Sequence, residues 1–324
     1  MDMYRQKLTT ADAAIGQLQS GWRVFVGSGC AAPQQLVAAL CRSIERLHDL
    51  ELIQLLSYGA TEYIDNRYAG NVRHNSFFIS ETIRQAVTDG RADYTPIFLS
   101  EIPELIRSGQ RGNNAALVQV SPPDRHGFCN LGVNVDIQHA ALDRAGLVIA
   151  EINRQMPRTH GESQVHLSQL DLLVEVDAPL LERVMPEPDE VALQIGYNIS
   201  RLVENGSCLQ MGIGAIPGTV LQFLADKRDL GIHTEMFNDA LIPLITNGNI
   251  TNRLKEVLPG RTVASFVVGT RTLYDFVDEN PGVVFYPSDF VNDPRVISRN
   301  DRVVAINSAL QVDLTGQICA DSIG

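Results

Sequence analysis

Gly206-Ser-Cys-Leu-Gln-Met-Gly-Ile-Gly-Ala-Ile-Pro217 decides the fold of this chain, because nearly the same phrase occurs earlier as Gly21-Trp-Arg-Val-Phe-Val-Gly-Ser-Gly-Cys-Ala-Ala-Pro33. In both, a glycine stops a helix, a short apolar strand follows, a Gly-x-Gly turn leaves it, and a proline opens the next helix. The first and second glycines of each phrase are six residues apart. The helices before the phrases match as well. Thr9 and Thr10 cap one over 11–19, with Ala14, Ile15 and Leu18 apolar. Pro186-Glu-Pro-Asp189 opens the other, with Val191, Ile195, Ile199, Leu202 and Val203 expected on one face. One architectural unit is therefore used twice.

Between the two phrases the pattern alternates. Strands are expected at 52–56, 76–79, 97–99, 115–120, 147–151 and 172–176, and helices at 80–89 and 140–145. That alternation specifies an α/β fold, two tandem α/β domains with mainly parallel sheets. The Pro-rich, acidic stretch at 184–189 places the boundary, giving domains 1–184 and 185–324. The second copy has used only about 140 residues when the chain ends, and 303–306 and 317–320 again read as sheet. The expectation is an incomplete second domain, with residues 321–324 breaking off inside it.

A length of 324 residues suits two domains, and 44% hydrophobic with 20% charged residues is ordinary for a soluble globular protein. A formal net charge of −12 argues against a nucleic-acid partner, which requires a basic face. No apolar run approaches the length of a membrane span, and the polar start has no signal core. Cys30, Cys41, Cys129, Cys208 and Cys319 show no metal-binding spacing and sit mostly in apolar runs. They read as buried reduced thiols, which suits a cytoplasmic location.

Both Gly-x-Gly turns leave a strand and enter a helix, so their free N–H groups could receive an anion or oxyanion. The third glycine of a dinucleotide fingerprint is replaced by Ala32 and by Pro217, and a tight packing turn remains an alternative for each copy. Glu235 lies 23 residues after Gly212, in His233-Thr-Glu-Met-Phe-Asn-Asp239. Spacing leaves it as ribose acceptor, solvated strand-end charge or nucleophile, and its apolar neighbours favour a semi-buried carboxylate. Two polar loops, 122–132 and 153–163, follow first-half strands and are where function concentrates in such folds. His126, His160 and His166 lack ligand spacing, so no metal is expected. Ser121 and Ser163 lack the context of a hydrolase nucleophile, and Arg154 with Arg158 could meet an anion.

Together the motifs resemble the acetyl-CoA hydrolase/transferase family, and within it the 4-hydroxybutyrate CoA-transferase group. The resemblance rests on Gly90-Arg-Ala-Asp-Tyr-x-Pro96-x-Phe-Leu-Ser-Glu-Ile-Pro103, Ser121-Pro-Pro-Asp-x-x-Gly127, Asn153-x-x-Met-Pro157 and Met211-Gly-Ile-Gly-x-Ile-Pro217. It rests also on His233-Thr-Glu-Met236 and on Ile306-Asn-Ser-Ala-Leu-x-Val-Asp-Leu-Thr-Gly-Gln317. It implies that Glu235 is the catalytic carboxylate and carries a glutamyl-CoA thioester. Coenzyme A or acyl-CoA is then a substrate, a small carboxylic acid is its partner, and a homo-oligomer is left open. The coenzyme A site carries over to Gly212, Ile213, Gly214, Ala215 and Ile216, and Asn292 corresponds to a substrate-side asparagine. Acetyl-CoA hydrolysis, or a non-catalytic CoA-binding role, remains the alternative. Two departures accompany the resemblance. Family members have Ser-Asp-Gly where this chain has Asn238-Asp239-Ala240, which puts the turn beside Glu235 in question. They also continue into a G-x-G-G-Q-x-D-F loop, before which this sequence ends.

Overall fold

The computed structural model describes residues 2–320, so the expected break at 321–324 lies outside the described residues. The first half supplies β1 (Arg23–Val26), β2 (Leu50–Leu56), β3 (Val72–Phe78), β4 (Ala92–Tyr94) and β5 (Ala115–Val120). It continues with β6 (Phe128–Asn130), β7 (Leu147–Asn153), β8 (His160–Gly161), β9 (Gln164–His166) and β10 (Leu172–Val176). Seven of these form one sheet in the order β10-β7-β5-β1-β2-β3-β4, and every pair in it is parallel. The chain winds outward from β1 through β4, then restarts at β5 and winds the other way, a doubly wound arrangement. β5 reads Ala-Ala-Leu-Val-Gln-Val and is buried at all six positions, as a central parallel strand covered on both faces must be.

The second half contains β11 (Cys208–Met211), β12 (Gly231–Ile232), β13 (Met236–Phe237), β14 (Thr262–Ala264), β15 (Phe266–Val267), β16 (Val283–Phe285) and β17 (Val303–Ile306). The repeat is real in three dimensions. β1 lies between β2 and β5, and Gly27 N–H donates to Leu117 O at 2.8 Å. β11 lies between β12 and β17, and Gly212 N–H donates to Ile306 O at 2.8 Å. All these pairs are parallel, so the fold is mixed α/β with mostly parallel sheets.

Three expectations need correction. Residues 97–99 are not a strand: Pro96 cannot donate to a ladder, and the chain turns through a 3-10 helix at Leu99–Glu101, the neighbouring strand being β4. The helix Glu190–Ser200, capped by Asp189 accepting from Ala192 N–H at 2.8 Å, buries Ala192, Gly196 and Ser200. Val191 and Leu202 are 65% and 76% exposed instead. The cause is a close helix pair: a Cβ on Gly196 would stand 2.9 Å from the Thr219 side chain, so small residues face the partner helix, while Ile195 and Ile199 are half-buried and Val203 alone of the five is fully buried. Finally, Cys41 and Cys319 are only partly buried, although none of the five cysteines forms a disulfide among the described residues.

The halves interlock. β8 from the first half pairs parallel with β16 of the second. Gly161 makes this possible: its φ is +98°, and a Cβ there would sit 2.3 Å from Phe285 O. A single apolar cluster then runs from Phe25 through Val118 and Leu209 to Ile306. Arg107 adds an ion pair to Asp289 across the same boundary, at 2.8 Å.

Candidate active site

The two glycine turns, alike in sequence, have different fates. The first is sealed by its own surroundings. Gln54 donates to Gly27 O at 2.8 Å, Asn134 to Ser28 O at 3.0 Å and Gln119 to Ala32 O at 3.1 Å. The helix that follows, Gln34–Ser43, has the Glu151 carboxylate on Leu36 N–H at 2.7 Å. The anion position at that helix start is thus filled by the protein itself, and burial pushes the Glu151 carboxyl up to about 7.

The second turn is open. Gly212, Ile213 and Gly214 are each partly exposed, and Ile216 lies just inside the following helix, Ala215–Leu221. At Gly212 a Cβ would stand 3.1 Å from Ile306 O and displace the Asn307 side chain, and Gly214 has a φ of +135°. Gly212 cannot serve as an oxyanion donor, since its N–H is spent on Ile306 O. The N–H groups of Ile213 and Gly214, which follow in the same partly exposed turn, are the candidates for that role.

Glu235 is not in a strand, as the sequence suggests, but in a bend between β12 and β13. Its neighbours hold that bend from every side. Thr234 Oγ1 accepts from Met211 N–H at 2.9 Å and returns a bond to Met211 O at 3.0 Å, fixing the bend to the strand that carries the glycine turn. His233 Nε2 donates to Val291 O at 2.9 Å, and burial lowers its pKa to about 4, so the ring is neutral. Glu235 O accepts from both Ser265 N–H and Phe266 N–H, at 2.8 and 3.2 Å. The side chain is left with one hydrogen bond, from Asn292 Nδ2 to Oε2 at 3.0 Å. Desolvation raises the Glu235 pKa and this bond opposes the rise.

The replacement of Gly by Ala240 does not disturb the turn. Ala240 has φ −66° and ψ −16°, open to any residue. Asn238 Oδ1 accepts its N–H at 3.1 Å, and Asp239 is bound to Thr270.

Glu235 opens into a cavity of about 240 Å³ whose other walls come from both halves. The carboxyl ends of β2, β3 and β4 bring Leu55, Leu56, Phe77, Phe78 and Tyr94, and the second half brings Ile213 and Phe266. A larger cleft of about 590 Å³, beside Arg5, Arg125 and Arg154, contains none of these residues. The structure brings together Glu235 and Asn292, the latter named by the resemblance alone, whereas no spacing announces the first-half walls.

Sequence reasoning also missed Asp136. This carboxyl is fully buried, and burial pushes its pKa up to about 7, with Glu235 contributing. Its backbone N–H donates to Ser265 O at 3.3 Å, so one residue links it to Glu235. Its carbonyl accepts from Ser288 N–H at 2.9 Å, at the start of the short helix Ser288–Val291 that leads to Asn292.

The two polar loops at 122–132 and 153–163 lie away from Glu235, with Pro122, Arg125 and Arg154 lining the larger cleft, and several of their side chains hold the loops together. Arg158 N–H donates to Asp278 at 2.7 Å, and its guanidinium reaches Ser121 Oγ at 2.9 Å. Ser163 Oγ is buried on Thr159 O, His160 is part of β8, and His166 caps a 3-10 turn. His126 is exposed against Arg125. Among the described residues no group of His, Cys, Asp and Glu is arranged to hold a metal ion, and no helix is long and apolar enough to cross a membrane.

The family model for the acetyl-CoA hydrolase/transferase N-terminal domain matches residues 1–184, and that for the C-terminal domain matches residues 269–324. A 4-hydroxybutyrate coenzyme A transferase of Clostridium kluyveri is 44% identical over the whole chain, which spans 75% of that protein. A succinyl-CoA:acetate/propanoyl-CoA:succinate CoA transferase of Fasciola hepatica is 43% identical over 98% of the chain, which spans 66% of it. Among solved structures, a 4-hydroxybutyrate CoA-transferase from Porphyromonas gingivalis superimposes with a TM-score of 0.87 at 37% identity, covering 98% of this chain and 76% of that one.

Proposed function

Because the chain belongs to the acetyl-CoA hydrolase/transferase family and is an enzyme of the CoA-transferase type, we propose that it moves coenzyme A from an acyl-CoA to a small carboxylic acid of the 4-hydroxybutyrate and acetate class. Glu235 is the nucleophile. The observation that carries this is a desolvated carboxyl with one hydrogen bond, facing an apolar cavity and adjoining the open glycine turn. On this reading the catalytic machinery divides between a domain at 1–184 and another at 185–324.

The chemistry balances with carboxylates and thiolates alone. Ionised Glu235 attacks the thioester carbonyl, the C–S bond breaks, and an acyl–glutamyl anhydride forms with coenzyme A thiolate leaving. The thiolate adds to the glutamyl carbonyl and expels the acyl group as its carboxylate, leaving coenzyme A on Glu235. A second acid reverses both steps. Each nucleophile is already an anion, so no general base is needed. Burial makes the Glu235 carboxylate a stronger nucleophile by removing water that would otherwise solvate it, while the Asn292 amide keeps it oriented. The N–H groups of Ile213 and Gly214 are the donors for the tetrahedral oxyanion, and loss of such a donor typically costs ~10²–10³ in rate. Ala215 and Ile216 continue the coenzyme A contact along the helix start. Coenzyme A and the acid are substrates, and the reading requires no metal.

Incubation with acyl-CoA, followed by borohydride reduction or hydroxylamine trapping and peptide mapping, tests the assignment. Modification is expected at Glu235 and absent from Glu235→Gln. Labelling at any other residue refutes it. Product analysis with and without added acetate separates transfer from hydrolysis.

A further inference from the structure

The seven-stranded sheet has a cleft at the carboxyl ends of its strands on each side of the sealed glycine turn. The ends of β2, β3 and β4 wall the Glu235 cavity, and the ends of β5, β7 and β10 wall the cleft of about 590 Å³. The two share no lining residue. The helix Asp2–Lys7 adds a wall to the larger cleft. It is tied down there by the Tyr4 hydroxyl donating to Glu175 at 2.8 Å and by Lys7 Nζ donating to Leu167 O at 2.8 Å.

Three guanidinium groups border this cleft from three separate segments: Arg5 from that helix, Arg125 from the loop after β5, and Arg154 just past β7. Each is exposed, and among the described residues none of the three pairs with a carboxylate, in a chain whose formal net charge is −12. Elsewhere the arginines Arg23, Arg107 and Arg183 each meet a carboxylate within 2.8 Å. The two carboxylates that line the cleft are already engaged. Asp124 accepts from His126 N–H and Phe128 N–H at 2.8 and 3.0 Å, and Glu175 holds the Tyr4 hydroxyl. Lys7 stands behind one wall, and Arg158, donating to Pro122 O at 3.0 Å, stands behind another.

We infer that this cleft binds a phosphate-bearing small molecule, its anionic group between Arg5, Arg125 and Arg154 and its organic part on Ile152 and Leu167. A phosphate presents oxygens in several directions, so guanidinium groups approaching from three segments can each donate to it. A carboxylate offers two oxygens in one plane and suits a single fork. The volume falls within the range of small-molecule sites, and the buried Ile152 and Leu167 give the cleft an apolar floor. The site stands apart from the Glu235 chemistry and does not rest on it.

Isothermal titration calorimetry of the full chain with inorganic pyrophosphate, ADP and succinate tests the assignment. Pyrophosphate and ADP are expected to bind once per chain, at least about tenfold more tightly than succinate. Both should weaken about tenfold in Arg5→Gln and in Arg154→Gln. Arg42→Gln, whose guanidinium pairs with Asp12 outside the cleft, should leave both affinities unchanged. No binding of either phosphate, succinate as tight as pyrophosphate, or affinities untouched by both cleft substitutions overturns the inference. Coenzyme A carries phosphates of its own and supplies the remaining check. Its affinity should stay within about twofold in Arg5→Gln and Arg154→Gln. A loss parallel to that of pyrophosphate would make the cleft part of the coenzyme site and overturn a separate one. Failure of Glu235 labelling leaves these outcomes as they stand, since none requires turnover.

Discussion

At the scale of single residues, the site depends on how two buried carboxyls differ. Glu235 has the Asn292 amide against it, whereas Asp136 has Ile137 N–H on one oxygen and no partner on the other. Asn292→Ala removes the bond that opposes desolvation, so the Glu235 pKa should rise further. Acylation by acyl-CoA is expected to slow about 10–100-fold at neutral pH, with the pH of half-maximal labelling moving upward; an unchanged midpoint would mean the amide does not act on the carboxylate. Asp136 bears on stability. Its folded pKa of about 7 lies above the ordinary carboxyl value of 3.8, so its favourable contribution is full below about pH 4 and is lost as pH rises toward 7. Asp136→Asn should therefore match the unmodified chain near pH 4 and exceed it above pH 7, by on the order of 1–4 kcal/mol. Urea melts at the two pH values read this directly. Glu235 was legible in the sequence because a strand, a glycine turn and a lone carboxylate lie within one local phrase. Asp136 was not, because its burial is created by Ser265 and Ser288, both more than a hundred residues away.

At the scale of elements, the sequence identified strands best where the apolar run is continuous. The expected bounds 115–120 coincide with β5, which is buried at all six positions, and 172–176 coincide with β10 at the sheet edge, whose Leu-Leu-Val run faces the core. Reading failed where geometry, not hydrophobicity, chooses the residue. Helix Glu190–Ser200 presents Ala, Gly and Ser to its neighbour, a pattern that an apolar periodicity does not detect. Likewise the two glycine turns read alike, and only the side chains of Gln54, Gln119, Asn134 and Glu151, distant in sequence, close the first of them. Glu151→Gln should leave Glu235 labelling within about twofold and act on stability alone. The short β8 makes the strongest elemental prediction. Gly161→Ala forces a side chain into Phe285 O at positive φ and should destabilise by roughly 1–3 kcal/mol. A fall in Tm with the β16 amides losing exchange protection first is the expected signature.

At the scale of the molecule, alternating strands and helices made the α/β class readable, and the repeat made two tandem units readable. The way the units join was hidden, because β8 lies inside the first unit in sequence but completes a sheet of the second. With a continuous apolar cluster through both, the chain should unfold in one transition, by far-UV circular dichroism and by Trp22 fluorescence alike. Two separated midpoints would show that the halves melt independently. The Glu235 cavity forms where the carboxyl ends of β2, β3 and β4 meet Glu235, so any loosening of that junction should cost activity before it costs secondary structure.

The borrowed strand also makes the two units obligate exchange partners. A polypeptide cut after residue 184 would leave β8 on one piece and its docking edge on β16 on the other. Expressed together, the pieces should find each other through that edge and rebuild the cavity. Expressed apart, the second piece would present an unpaired parallel edge and should aggregate. Gly161→Ala would weaken the reassembly, which makes complementation between fragments a sensitive assay for a contact of only two residues.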